Sequence, residues 1–293
     1  MAAKNRTTPI ESSPITNKNE FMTRVYRDLR RLGLLCFLVS YGLLPMASAN
    51  PDKDGWQTLL DTHVNTSGKV DYQTLKKAPD ALNHAVKRFG QAPVNAPSQP
   101  EQKALHINAY NAITVQLMRD NWPLDSIRDL DQGQVWDTRK FQVAGQSLTL
   151  NEIENDVLRK MNDPRIHAAI SCASKSCAPL SKNAFRAESL DTALDKATLA
   201  WVQTTAFSTV GTPSTLQEVR LNQIFDWYAD DFLPNFGGQY RDIPGVESKA
   251  EAAINFIIDA MHKHNDRPAL MHALLRGGYK VSWASYDWSH NGP

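Results

Sequence analysis

Net charge is almost missing from this 293-residue chain, in which 32 lysines and arginines face 31 aspartates and glutamates. Past Asn50 the acidic residues outnumber the basic ones by three. Such a balance carries no electrostatic footprint for nucleic acid. Cysteine is scarce, with three in all, so no dense disulfide scaffold is available. No apolar run comes near the ~20 residues of a comfortable membrane span. Internal repeats are missing too, and strands do not alternate regularly with helices, which disfavours a doubly wound sheet.

What is present begins with an exported-protein pattern. Arg24, Arg27, Arg30 and Arg31 precede a short apolar run, Leu32 to Leu44, that ends in Pro45-Met46-Ala47-Ser48-Ala49. A basic flank, a short apolar core and small residues at the −3 and −1 positions predict a cleavable secretion signal over residues 1–49. The alternative is an uncleaved N-terminal anchor. Cys36 lies inside the apolar run and leaves with it. The expected working unit is one domain over residues 50–293, exported to a periplasmic or extracellular setting and without a membrane span once the signal is gone. That length suffices for one large core.

Within it, Trp56 to His63 predicts a helix, and the three prolines of residues 91–100 predict a loop. Glu101 to Asp120 is apolar around most of its circumference and predicts a central helix. Phe141 to Leu148 predicts a hairpin, and Thr149 or Asn151 caps a helix over NEIENDVLRK. Asp163-Pro164 is read as its stop. Arg165 to Ser171 (RIHAAIS) is apolar on both faces and predicts an internal strand. Helices follow at 189–204, 223–232 and 249–264, with strands at 219–221 and 279–286. The fold class is α+β: a single compact domain whose central helix packs on a small mixed sheet containing 165–171 and 279–286.

Several blocks together resemble a known family, the domain of unknown function 547. They are His106-Ile107-Asn108-Ala109-Tyr110-Asn111; Ile153-Glu154-Asn155 with Leu158-Arg159; Asp163-Pro164-Arg165-Ile166-His167; Cys172 to Leu180 (CASKSCAPL); Ile224 to Tyr228 with Asp231-Phe232; and Tyr286-Asp287-Trp288-Ser289. His106 departs from the family, which usually has Trp there. The resemblance implies a fold unit but no settled activity. A looser comparison is with papain and transglutaminase folds, in which a helix packs on a small sheet that presents a catalytic histidine. The helix start that supplies cysteine in those folds offers His106 and Asn108 here, which puts thiol chemistry from that position in doubt.

The candidate site is drawn from polar groups in apolar segments. Asn108 and Asn111 share one helix face. They either line a site or stitch loops to the core, since an unpaired buried amide is costly. Tyr110 between them is taken as a binding residue. Glu154 needs a partner if buried, with Arg159 or His167 available. His167 has the titration range for acid–base work, or is a satisfied core residue. Cys172 and Cys177 are expected to form a disulfide in an oxidising compartment. The alternatives are a Cys172 nucleophile served by His167, or a zinc site that lacks a clear fourth ligand. Strand parity counts against a close His167–Cys172 pair. Lys175 and Ser176 either form an exposed turn, receive an anion, or offer a serine nucleophile for which no base is assigned.

Two functions remain. One is a hydrolase or acyl/amide transferase of the cell envelope using His167, Glu154, Cys172, Asn108 and Asn111. The other is a non-catalytic module binding a protein or glycan of the envelope. The sequence implies no cofactor and no assigned metal, and the substrate or partner is unknown.

Overall fold

The computed structural model describes residues 55–94, 98–238 and 242–293. The leader predicted over residues 1–49 lies outside the described residues, as do positions 95–97 of the proline-rich loop.

Ser98 caps the longest helix among the described residues. Its hydroxyl accepts the Glu101 amide hydrogen and donates to the Glu101 carboxylate. Pro100 sits in the first turn, where its missing N–H costs nothing. Three earlier helices, α1 (Trp56–His63), α2 (Tyr72–Lys77) and α3 (Asp80–Gln91), precede this helix, α4 (Gln99–Asp120). Nearly every residue of α4 from Lys103 to Arg119 is buried, as its all-round apolar sequence demands. Helices α2 and α3 and the first β-hairpin lie against it.

A cis peptide joins Trp122 to Pro123. After a 3-10 stretch (Ile127–Gly133) and the short α5 (Val135–Thr138), the hairpin forms from β1 (Lys140–Val143) and β2 (Gln146–Thr149). Ala144 and Gly145 both have positive φ, the arrangement that a two-residue turn needs to match strand twist. Thr149 then caps the next helix. Its hydroxyl accepts the Glu152 N–H at 3.0 Å, and the Glu152 carboxylate accepts the Thr149 N–H at 2.7 Å. Thr149→Ala is therefore expected to cost about 1 kcal/mol. A calorimetric scan should show a melting point lower by about 2–4 °C.

That helix, α6 (residues 150–161), is not regular. It is α-helical at Leu150–Glu152, widens to a π turn at Ile153–Leu158 and tightens to 3-10 at Arg159–Met161. The Arg159 N–H reaches back five residues to the Glu154 carbonyl. Such π turns often mark functional positions, and this one carries Glu154.

The predicted strand at 165–171 is instead a buried helical turn, α7 (Ile166–Ala169), followed by extended Ile170. Asp163-Pro164 starts a helix here rather than only stopping one. The Asp163 carboxylate accepts the Arg165 N–H, and the Asp163 carbonyl accepts that of Ile166. A four-to-seven-residue apolar run has no periodicity that separates helix from strand, and the Asp-Pro pair decided the outcome.

The remaining elements are α8 (Leu190–Thr204), β3 (Phe207–Val210), β4 (Glu218–Leu221), α9 (Ile224–Trp227), α10 (Ala229–Phe236), α11 (Ser248–Lys263), α12 (Pro268–Arg276) and β5 (Lys280–Trp283). Strand β4 pairs antiparallel with β3 and parallel with β5. The fold is thus α+β, as expected, with its mixed sheet built from strands near the C-terminal end of the chain. The helix predicted over 223–232 breaks at Tyr228, which leaves helical geometry between α9 and α10. The core runs through Trp201, Phe225, Phe232 and Phe256, whose rings meet face-on and edge-on.

Candidate functional site

Separate stretches of chain converge on a cavity of about 280 Å³. Helix α4 contributes Tyr110 and the π turn of α6 contributes Glu154. The α7 turn and the loop after it contribute His167, Cys172 and Cys177. The break between α9 and α10 contributes Trp227 and Tyr228. Tyr286 and Trp288 complete the wall. They are carried there by the C-terminal tail, which runs against the cysteine loop. Lys175 N–H donates to the Ser289 carbonyl at 2.8 Å, Asn291 N–H to that of Ala173 at 3.0 Å, and Asp287 N–H to the Ser176 hydroxyl at 2.8 Å.

His167 is buried and its ring is held by a carboxylate rather than by backbone. Nε2 lies 2.7 Å from Asp231 Oδ2, and Asp231 is gripped a second time by the Arg159 fork at 2.7 and 2.9 Å. Burial alone would raise the Asp231 carboxyl. The hydrogen bonds from His167 and Arg159 override it and hold the group at about 2. An ionised carboxylate only accepts, so Nε2 carries the hydrogen and Nδ1 is the nitrogen left for proton transfer. Nδ1 faces Glu154 Oε1 at 3.9 Å. The Tyr228 ring tilts over the imidazole at 4.3 Å between centroids, with Phe232 behind it at 5.6 Å. Glu154 accepts from the Tyr110 hydroxyl at 3.3 Å. Of its two expected partners, His167 faces it and Arg159 serves Asp231 instead.

Asp231→Asn keeps the shape but removes the charge from both hydrogen bonds. A loss of about 2 kcal/mol in urea unfolding at neutral pH is expected. Because the folded-state value lies below the ordinary carboxyl value near 3.9, the Asp231 contribution is complete above that value. It disappears as pH falls through about 2. The Asn variant should lack that acid-side loss.

The cysteine pair corrects the sequence expectation of a disulfide: Cys172 and Cys177 are free thiols. Ala173, at φ 58°, turns the loop so that the two side chains do different work. The buried Cys177 sulfur accepts the Cys172 N–H at 3.0 Å and lies 3.8 Å from the Ile170 carbonyl oxygen. Cys172 is half-buried in the cavity wall, 3.1 Å from the Tyr286 hydroxyl and 3.2 Å from that of Ser174. Burial pushes the Cys172 thiol up, but hydrogen bonds from Cys177, Ser174 and Tyr286 outweigh it and bring the group down to about 7. Cys177 goes the other way, raised well above the ordinary thiol by its hydrogen bond to Cys172 and by burial. No hydrogen bond joins His167 to Cys172, although both line one cavity. The strand premise of the parity argument does not hold, because α7 is helical, although the two side chains make no direct bond, as that argument expected.

Other predicted residues fall outside the cavity. Asn108 pins Phe185 through its N–H and carbonyl, at 3.0 and 2.8 Å, and accepts from the Trp56 indole. Asn111 donates to the Ala169 carbonyl and accepts the Ser171 N–H, at 2.9 and 2.8 Å. Both are stitches, and Asn111 fastens the chain that leads into Cys172. Ser176 is spent on the tail through the Asp287 N–H and Lys175 is exposed, so neither reaches the cavity. Among the described residues no group of three or more His, Cys, Asp or Glu is placed to hold a metal ion, and the zinc alternative is not assembled. Asp231 and the aromatic wall were missed as site residues. The only sequence signal was the crowding of acids and rings in Asp226-Trp227-Tyr228 with Asp230-Asp231, and in Asp287-Trp288.

The family described as "Protein of unknown function, DUF547" matches residues 94–202. The match supports the resemblance over that stretch. It spans Tyr110, Glu154, His167 and both thiols, and stops before Asp231 and the aromatic tail. No curated protein and no solved structure matches the chain.

Proposed function

We propose that the cavity is the active site of a hydrolase or acyl/amide transferase in which Cys172 is the nucleophile. The observation that carries this reading is the half-buried Cys172 thiol, brought to about 7 in a cavity wall that also holds an oriented imidazole. Thiols tuned in this way cluster at reactive sites.

The chemistry balances with the groups present. In the resting state the Cys172 thiolate is the nucleophile and the proton to be transferred sits on His167 Nδ1, the nitrogen that Asp231 leaves available. The sulfur attacks the acyl carbon and the C–O or C–N bond breaks. His167 passes its proton to the leaving group. Neutral Nδ1 then takes a proton from water or from an acceptor amine or alcohol as that nucleophile attacks the thioester. The C–S bond breaks and the resting pair returns. Asp231 keeps the ring in the tautomer and orientation that this cycle needs. An exported, cell-envelope setting for the reaction rests on the leader pattern of residues 1–49.

A small activated ester tests the reading. Incubation with p-nitrophenyl acetate should leave one acetyl group on the peptide carrying Cys172, found by mass spectrometry of the quenched digest. Cys172→Ser should form none. His167→Ala should acylate but discharge slowly, so the adduct accumulates. Ester cleavage that continues undiminished in Cys172→Ser would remove the thiol from the mechanism. It would favour the second reading, a binding module, which the structural roles of Asn108 and Asn111 already suit.

A further inference from the structure

The cavity opens onto a rim of aromatic rings, of which the proposed chemistry uses only the Tyr286 hydroxyl. Trp227 is 47% exposed, an unusual state for so large an apolar side chain. Its ring lies nearly parallel to that of Trp288, at 5.9 Å and 17°, and Tyr286 touches both, at 4.9 and 4.5 Å. Trp136 meets Trp288 edge-on at 5.8 Å, and the Arg128 guanidinium sits over the Trp288 ring at 5.2 Å. The rings brace one another, so the exposed indole is a fixed platform and loses little freedom when a ligand covers it. Polar groups interrupt the apolar surface: Asn151, Glu154 and Tyr228 line the same cavity, whose aliphatic lining is limited to Ile170 and Ile224.

We infer that this rim binds a sugar ring, and that the substrate of the site is therefore carbohydrate-bearing. The inference rests on the reading of the cavity as an acyl- or amide-transfer site. A pyranose has one C–H face that covers an indole and hydroxyls around its edge that need donors and acceptors. Fixed rings beside an amide and a carboxylate meet both demands. A purely aliphatic chain would strip water from Asn151 and Glu154 and return nothing. A peptide bound by strand addition needs a strand edge for its backbone, and no residue lining the cavity lies on a strand.

The test uses the full chain carrying Cys172→Ser, so that binding is read without turnover. Three tetrasaccharides, β-1,4-linked glucose, β-1,4-linked N-acetylglucosamine and α-1,4-linked glucose, are titrated while tryptophan fluorescence and heat are followed. At least one should saturate, and adding Trp227→Ala should weaken it by about tenfold or more, the scale of one lost aromatic contact. Trp227 is exposed, so an unchanged melting point confirms that the variant folds. Saturation by none of the three, or equal binding by the Trp227→Ala protein, overturns the inference. So does tighter binding of an N-acetylated phenylalanyl peptide than of every sugar. Acetylation of Cys172 by the small ester reads the chemistry separately: acetylation without sugar binding overturns the substrate class alone, and sugar binding without acetylation overturns the chemistry alone.

Discussion

Asn111→Ala and Asn108→Ala should each destabilise the fold by about 2–5 kcal/mol, yet only Asn111→Ala should change the reactivity of Cys172. Both amides are nearly inaccessible, at 2% and 1% exposure. Each satisfies a backbone N–H and a backbone carbonyl in the interior. Truncation leaves two buried backbone groups unpaired, and at Asn108 the Trp56 indole N–H as well, at about 1–3 kcal/mol apiece, and opens a small void besides. The two sites differ in what they fasten. Asn108 ties Phe185 and Trp56, away from the cavity. Asn111 ties Ala169 and Ser171, and Cys172 is the next residue. With that clamp gone, the cage of Ser174, Cys177 and Tyr286 around the sulfur loosens, and the thiol should titrate closer to the ordinary value of about 8.5. Urea unfolding reads the stability, and the pH dependence of iodoacetamide labelling reads the thiol. A shift in Asn108→Ala without one in Asn111→Ala would reverse the assignment of the two clamps.

Local chemistry made much of the fold readable. The Thr149 cap, the Ala144-Gly145 turn and the all-round apolar α4 each follow from a few neighbouring residues. Legibility failed where one local signal had two meanings. RIHAAIS is equally apolar as strand or helix, and Asp163-Pro164 both ends one helix and opens another. The elements at Asp80–Gln91 and Pro268–Arg276 were passed over, although the burial of Leu82, Ala85 and Phe89 on one side of the first is a helical pattern.

The site was legible in part for the same reason. Glu154, His167 and Cys172 stand out as polar groups in apolar stretches, and the structure brings all three to one cavity with Tyr110. Asp231 does not stand out, because its meaning comes from His167, 64 positions earlier in the chain. Nor do Tyr286 and Trp288, which reach the cavity only because the tail pairs with the cysteine loop. The disulfide expectation came from an assumed compartment. It missed the Ala173 turn, which leaves Cys172 half-buried and Cys177 buried in the wall of one cavity.

The central claim, that Cys172 is a nucleophile prepared by its hydrogen-bond donors, is tested most directly by titrating that thiol. The reduced full chain is alkylated with iodoacetamide across pH 5 to 10, as ~1-unit steps around the ordinary thiol range, and each cysteine peptide is quantified by mass. The donors around the sulfur predict half-maximal labelling of Cys172 near pH 7, while Cys177, buried and held protonated, stays unlabelled in the folded protein. Tyr286→Phe, which removes one donor, should move the Cys172 midpoint upward. A wild-type midpoint at or above about 8.5, the value of an unassisted thiol, would contradict the account.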